Sequence, residues 1–235
     1  QNPILHFYRH KEVGFALKAT DAQFALVPGE WNGFDFAAMV TELTADAANK
    51  PVVIDVFADL PDADPAGLDD TNPAPSSGDE VRWVYFTSGT TSDPKGVRHT
   101  DRTLITGANG LAVALDMSPD DIGSIAFPFS HIAGPDYFGT MLIAGFPAVL
   151  FEAFVPATAI PVLAAEGVTM VGGGPAFYSM YLAEQRKTPD TPIIPTLRKM
   201  SGGGAPMAPE QYEEIKREFG VKTCHGYGMT ECPMI

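Results

Sequence analysis

Apolar runs of strand length alternate with longer amphipathic segments along almost the whole of this 235-residue chain. That alternation limits the possible folds more than any other feature. Strands are expected at Gln23–Val27, Val52–Phe57, Val81–Phe86, Gly123–Phe127, Ala148–Phe151, Thr169–Gly172, Leu197–Ser201 and Lys222–Gly226. Helix candidates lie between them. The clearest is Asp101–Leu115, where Leu104, Ala108, Leu111 and Leu115 share one face. Another is Pro209–Phe219, with Glu210, Glu213 and Glu214 toward its start and Lys216 and Arg217 later, matching the helix dipole. Strand–helix alternation of this kind indicates an α/β fold built on largely parallel sheet.

One segment interrupts the rhythm. Residues Asp59–Glu80 hold seven acidic residues and four prolines with few large apolar groups, the composition of a solvated connector. The chain therefore divides into a first α/β segment (1–58), the connector (59–80) and a longer portion (81–235) carrying the chemistry. A net charge of −14 argues against nucleic acid or anionic membrane as partners. It does not exclude a small anion, because a local basic loop can outweigh a screened, distant acidic surface. Cys224 and Cys232, the only cysteines, are too few for a disulfide framework and fit a reducing, cytoplasmic compartment. The apolar stretch Tyr137–Phe151 is broken by Gly139, Gly145 and Pro147 and is too short to span a bilayer. Because the chain starts at Gln1 and stops four residues after Glu231, it reads as a fragment.

Chemistry concentrates where strands end. After Val81–Phe86 comes Thr87-Ser88-Gly89-Thr90-Thr91-Ser92-Asp93-Pro94-Lys95-Gly96. Glycines let the backbone approach an anion, free N–H groups donate to it, and lysine adds a point charge. The stretch misses the Walker pattern G-x4-G-K-[ST], with Pro94 in place of glycine and Gly96 in place of Ser/Thr, so the usual magnesium hydroxyl is absent. Three further loops follow strands: Pro128-Phe129-Ser130-His131-Ile132-Ala133-Gly134, Ser201-Gly202-Gly203-Gly204-Ala205-Pro206, and Gly226-Tyr227-Gly228-Met229-Thr230-Glu231. Gly172-Gly173-Gly174-Pro175 ends a fourth. Open α/β sheets bind ligands at such carboxyl ends.

Tyr85–Gly96 resembles the phosphate-loop signature of the adenylate-forming superfamily, which comprises acyl- and aryl-CoA ligases, nonribosomal adenylation domains and luciferases. Gly226–Glu231 is similar to that family's adenine and magnesium motif, and the two stand in the family's order. The resemblance implies a layered αβαβα architecture and places the whole chain in the family's large N-terminal, AMP-binding domain. It implies that Thr87, Ser88, Gly89, Thr90, Thr91 and Lys95 hold the ATP β- and γ-phosphates and then pyrophosphate. Gly203, Gly204 and Ala205 would line the adenine pocket with Gly226, and Tyr227 would stack on the base. Thr230 would contact the α-phosphate, Glu231 would bind Mg²⁺, and His131 would stand beside the reacting carboxylate.

The implied reaction is ATP-dependent activation of a fatty or aromatic acid to acyl-AMP, then thioester formation with CoA. Catalysis of this kind is charge neutralisation and in-line positioning, with no side-chain nucleophile. Phe129, Ile132, Gly172 and Gly202 are the expected walls shielding the adenylate from water. Ser92 departs from the family's usual glycine. The family's ribose-binding aspartate, hinge and C-terminal-domain lysine have no counterpart before Ile235, so the 235 residues alone are expected to be weak or inactive in ATP–pyrophosphate exchange. Rival readings are a fatty-acyl-AMP ligase or an amino-acid adenylation domain loading a carrier protein, and a non-catalytic nucleotide-binding fragment. Asp136, if it faced the acyl pocket, would favour the amino-acid reading by pairing a substrate ammonium. A metal reading of His6 and His10, or of Cys224-His225 with Cys232, lacks a complete ligand set.

Overall fold

In the computed structural model, residues 1–58, 60, 62, 64, 77–87 and 94–233 are described. Most of the acidic connector and residues 88–93 of the phosphate-type loop lie outside that set. The chain forms two compact units, Gln1–Arg98 and His99–Ile235.

In the first unit, α1 (His10–Thr20) leads into β1 (Phe24–Val27), a short antiparallel ribbon of β2 (Glu30–Trp31) and β3 (Phe34–Asp35), α2 (Phe36–Leu43) and β4 (Val52–Asp55). Asp35 starts α2 by accepting from Ala38 N at 2.8 Å, the N-cap bond its side chain is suited to. β1 and β4 pair in parallel from Phe24↔Val52 to Val27↔Asp55. One face of β1 is buried with Val13, Phe36, Met39 and Val40. β5 (Val81–Phe86) and β6 (Gly96–Thr100) form a separate two-stranded sheet. His10 meets Glu42 at 3.5 Å, and His6 packs edge-on against Trp31, so the two histidines serve different contacts.

The second unit continues with α3 (Asp101–Ala114), β7 (Gly123–Ile125), α4 (Ala133–Ala144), β8 (Ala148–Leu150), α5 (Pro156–Ala165), β9 (Met170–Gly173), α6 (Pro175–Gln185), β10 (Lys199–Gly202), α7 (Pro209–Phe219) and β11 (Lys222–His225). Every strand pairing within it is parallel: β7 with β8, and the sheet β11-β10-β9. Thr169 N donates to Ile122 O at 2.8 Å, tying the start of β9 beside β7. The resulting α/β architecture with parallel sheets agrees with the expectation from sequence. Among the described residues no helix is long and apolar enough to cross a membrane. Tyr137–Phe151 resolves into the body of α4, a turn at Gly145 and β8.

Two apolar clusters support these strands: Leu163, Val171, Tyr181, Met200 and Ile215 in one, Leu111, Leu115, Ile125, Tyr137 and Met170 in the other. At the amino ends of the strands, fully buried Asp121 accepts from Thr169 Oγ1 at 2.8 Å and Ser118 N at 3.1 Å, and pairs with Arg198 and Lys199. Burial works against its ionisation, but these hydrogen bonds and the Lys199 charge hold the carboxyl below the usual range. The amino ends are thus pinned by a charge cluster, and the carboxyl ends are left to the glycine loops.

Candidate active site

The carboxyl ends of β9, β10 and β11 approach one another so closely that side chains have no room there. A Cβ on Gly202 would lie 1.9 Å from Gly173 O and 2.3 Å from the Tyr178 hydroxyl, and one on Gly203 would lie 2.7 Å from Gly226 O. Gly226 N donates to Gly202 O at 2.7 Å, and His225 Nε2 lies 2.8 Å from Ala205 O. Two of the three consecutive glycines are therefore required by strand packing itself. A flat backbone shelf over Gly203, Gly204 and Ala205, next to Gly226, is the consequence.

The shelf adjoins Tyr227, which is 64% exposed with its ring open to solvent. Beyond it the chain makes a two-residue hairpin turn: Met229 N donates to Cys232 O at 2.9 Å and Cys232 N to Met229 O at 3.0 Å. Thr230 and Glu231 are the tip residues, and the Glu231 side chain is exposed. The Thr230 carbonyl takes no part in the turn's own bonds. Instead His99 Nε2 lies 2.7 Å from it. A carbonyl oxygen only accepts, so Nε2 carries a proton and donates. His99 is 3% exposed, and its Nδ1 lies 3.0 Å from Thr103 Oγ1. No motif marks His99 in the sequence; its one signal is position, four residues after Lys95 and just before the Thr100 N-cap of α3.

His131 sits in the turn before α4. Ala133 N donates to its Nδ1 at 3.3 Å, which assigns the proton of the neutral ring to Nε2. Desolvation by the surrounding protein lowers its pKa below the ordinary imidazole value, although the residue is exposed. A neutral donor results, suited to a carboxylate oxygen. Of the expected pocket walls, Phe129 is exposed and packs edge-to-face on Phe138 at 5.4 Å, and Ile132 is buried in the core. The space beside Gly202 is already filled. Asp136 is 2% exposed: a Cβ on Gly107 of α3 would lie 2.7 Å from its Oδ1, so the carboxyl is turned into the α3–α4 packing. Among the described residues that oxygen has no hydrogen-bond partner, and burial raises the pKa to about 6.

In the first unit, the neck of the phosphate-type loop is closed by Thr87 N donating to Lys95 O at 3.0 Å and Lys95 N to Thr87 Oγ1 at 3.3 Å. Lys95 is exposed. Gly96, which spoils the Walker pattern, is set against β5: its Cβ would stand 3.1 Å from both Phe86 and Val84. Ser88, Gly89, Thr90 and Thr91 lie outside the described residues, as does Ser92.

Among the described residues no three His, Cys, Asp or Glu side chains cluster as a metal cage. Glu231 is a single exposed carboxylate, which suits Mg²⁺: that ion keeps several waters and takes its other oxygens from substrate phosphates.

Parallel strands ending in a glycine shelf, an exposed tyrosine and a carboxylate-bearing turn make an α/β architecture whose glycine loops gather at the carboxyl ends of its strands. The family model described as AMP-binding enzyme matches residues 2–235, and the chain belongs to that family. It is 32% identical over 181 residues to a feruloyl-CoA synthase of Amycolatopsis sp, covering 76% of this chain and 34% of that protein. It is 30% identical over 222 residues to a 2-succinylbenzoate–CoA ligase of Geobacillus kaustophilus, covering 94% of this chain and 41% of that protein. Among solved structures, the O-succinylbenzoate coenzyme A synthetase of Bacillus subtilis in complex with AMP matches with a TM-score of 0.77 at 24% identity, over 99% of this chain and 55% of that one. The chain therefore spans about a third to two fifths of the length of these curated relatives.

Proposed function

We propose that the protein carrying this chain activates an aromatic carboxylic acid with ATP, forming acyl-AMP and pyrophosphate, and then passes the acyl group to CoA. The observation that carries this reading is the loop that starts with Gly226 against Gly203, continues through the open Tyr227 ring and ends in the hairpin turn bearing Thr230 and Glu231. Tyr227 and the shelf would sandwich adenine. Thr87 and Lys95, with Ser88, Gly89, Thr90 and Thr91, would grip the β- and γ-phosphates. Thr230 would donate to the α-phosphate, and Glu231 would hold Mg²⁺, whose role when bound is to neutralise phosphate charge. His131, neutral with its proton on Nε2, would orient the incoming carboxylate without competing for the attacking electron pair.

Support for an aromatic over a fatty acid comes from the relatives, a feruloyl-CoA synthase and a 2-succinylbenzoate–CoA ligase. The orientation of Asp136 into α3 removes the main residue that favoured an amino-acid substrate. The test is ATP–pyrophosphate exchange by the full-length protein against aromatic acids, fatty acids of varied length and amino acids. Exchange greatest with an aromatic acid supports the reading; exchange greatest with a fatty or amino acid overturns the substrate assignment. Replacing Lys95 by Ala should weaken ATP or pyrophosphate binding about ten- to hundredfold, the loss typical of a charge-assisted hydrogen bond. Unchanged binding would remove Lys95 from the site.

A further inference from the structure

The turn that carries Glu231 has a weak point. In a two-residue turn the central peptide, here Thr230–Glu231, can rotate as a unit between two turn types without breaking either closing bond. Rotation turns the peptide's carbonyl and N–H to the opposite side of the turn and exchanges a negative for a positive φ at the second tip residue, with the two Cα–Cβ directions nearly unchanged. Neither Thr230 nor Glu231 has a positive φ here, so the structure holds one of the two states. The turn's two hydrogen bonds do not select it, because both survive the rotation.

A negative φ at Glu231 is the state an L residue prefers, and His99 holds it and ties the turn to the start of α3. Its Nε2–H donates to the carbonyl of that same central peptide at 2.7 Å. The ring is clamped in turn by Thr103 Oγ1 at 3.0 Å from Nδ1. Thr103 is fixed by the capping box of α3, with Thr103 N donating to Thr100 Oγ1 and Thr100 N to Thr103 Oγ1, each at 3.1 Å. A buried imidazole held at both nitrogens on a helix start is a rigid donor. We propose that His99 is a positioning residue that tethers the Thr230–Glu231 peptide to the start of α3 and so fixes where the turn holds the Glu231 carboxylate for magnesium-bound nucleotide. This rests on the assignment of Glu231 to the nucleotide site made above. His99 touches no substrate; it acts through the turn.

The geometry makes two separable demands. First, Nε2 must be protonated at neutral pH, which long-range ¹H–¹⁵N NMR of the imidazoles in the full-length protein reads directly. A neutral His99 with its proton on Nδ1 overturns the proposal, since a carbonyl cannot donate. Second, loss of the donor should injure magnesium-dependent binding selectively. By calorimetry, His99→Leu should weaken Mg²⁺-ATP binding about tenfold, and metal-free AMP binding less than about twofold. His99→Gln, which can place an amide N–H near the position of Nε2, should recover most of the loss. Equal losses for both nucleotides, or no loss with Mg²⁺-ATP, overturn the proposal. If His99→Leu does not fold, the same comparison on His99→Gln against wild type decides, with a deficit for metal-free AMP as large as for Mg²⁺-ATP counting against it. A wild-type protein that binds neither nucleotide overturns the functional reading itself and this proposal with it. A wild type that binds both, alongside variants that match it, overturns the His99 role alone.

Discussion

At buried Asp136 and exposed His131, five residues apart around the start of α4, desolvation opposes charge in both cases with opposite effects on pKa. His131 loses affinity for its proton and stays a neutral donor. Asp136 gains affinity, from 3.8 to about 6, because burial desolvates its carboxyl, whose Oδ1 has no partner among the described residues. The folded state therefore binds more protons than the unfolded state between those two values. Stability is greatest below the lower one, falls as pH rises through the window, and is fully diminished above about 6. The ionised carboxyl costs the folded state about 3 kcal/mol at neutral pH. Asp136→Asn should accordingly raise unfolding free energy at pH 8 by up to that amount and change little at pH 4, as urea titrations at the two pH values would show. A difference that does not vary with pH would mean that Asp136 is not a buried titrating group.

At the level of elements, the strand ends depend on the absence of side chains at two positions in sequence and not at the third. Gly202→Ala drives a methyl into Gly173 O and should cost about 3 kcal/mol or prevent folding. Gly204 has nothing within 4 Å of its Cβ position but a φ of +79°, so Gly204→Ala should cost only about 1 kcal/mol. Comparable losses for the two in thermal melts would refute the packing account. This distinction was not legible in the sequence, where Gly202, Gly203 and Gly204 read alike. Much else was. The eight anticipated strands all form within two residues of their expected ends, as do α3 and α7. α4 and α5 are apolar nearly all round and carry Pro135, Gly139 and Pro161, so periodicity could not delimit them. β6 escaped because Gly96-Val97-Arg98-His99-Thr100 has no apolar run. His99 escaped with it, since its partner Thr230 is 131 residues away in sequence. The loop motifs were legible for the opposite reason: glycine, hydroxyl, lysine and carboxylate fall in short contiguous stretches.

For the whole molecule, the acidic balance of −14 and the anionic ligand proposed for it are compatible only if positive charge is local, which Lys95 at the loop neck provides. The parallel α/β framework, the AMP-binding family match over residues 2–235 and the turn bearing Glu231 together lead to one claim: a carboxylate attacks the α-phosphate of ATP. The most direct test follows the oxygen that this attack transfers. Full-length protein would be supplied with ATP, CoA and an aromatic acid labelled with ¹⁸O in its carboxylate, and the products analysed by mass spectrometry. Attack at the α-phosphate predicts one ¹⁸O in AMP, unlabelled pyrophosphate and an acyl-CoA thioester. Label appearing in inorganic phosphate, with ADP as the nucleotide product, would show attack at the γ-phosphate and contradict the account.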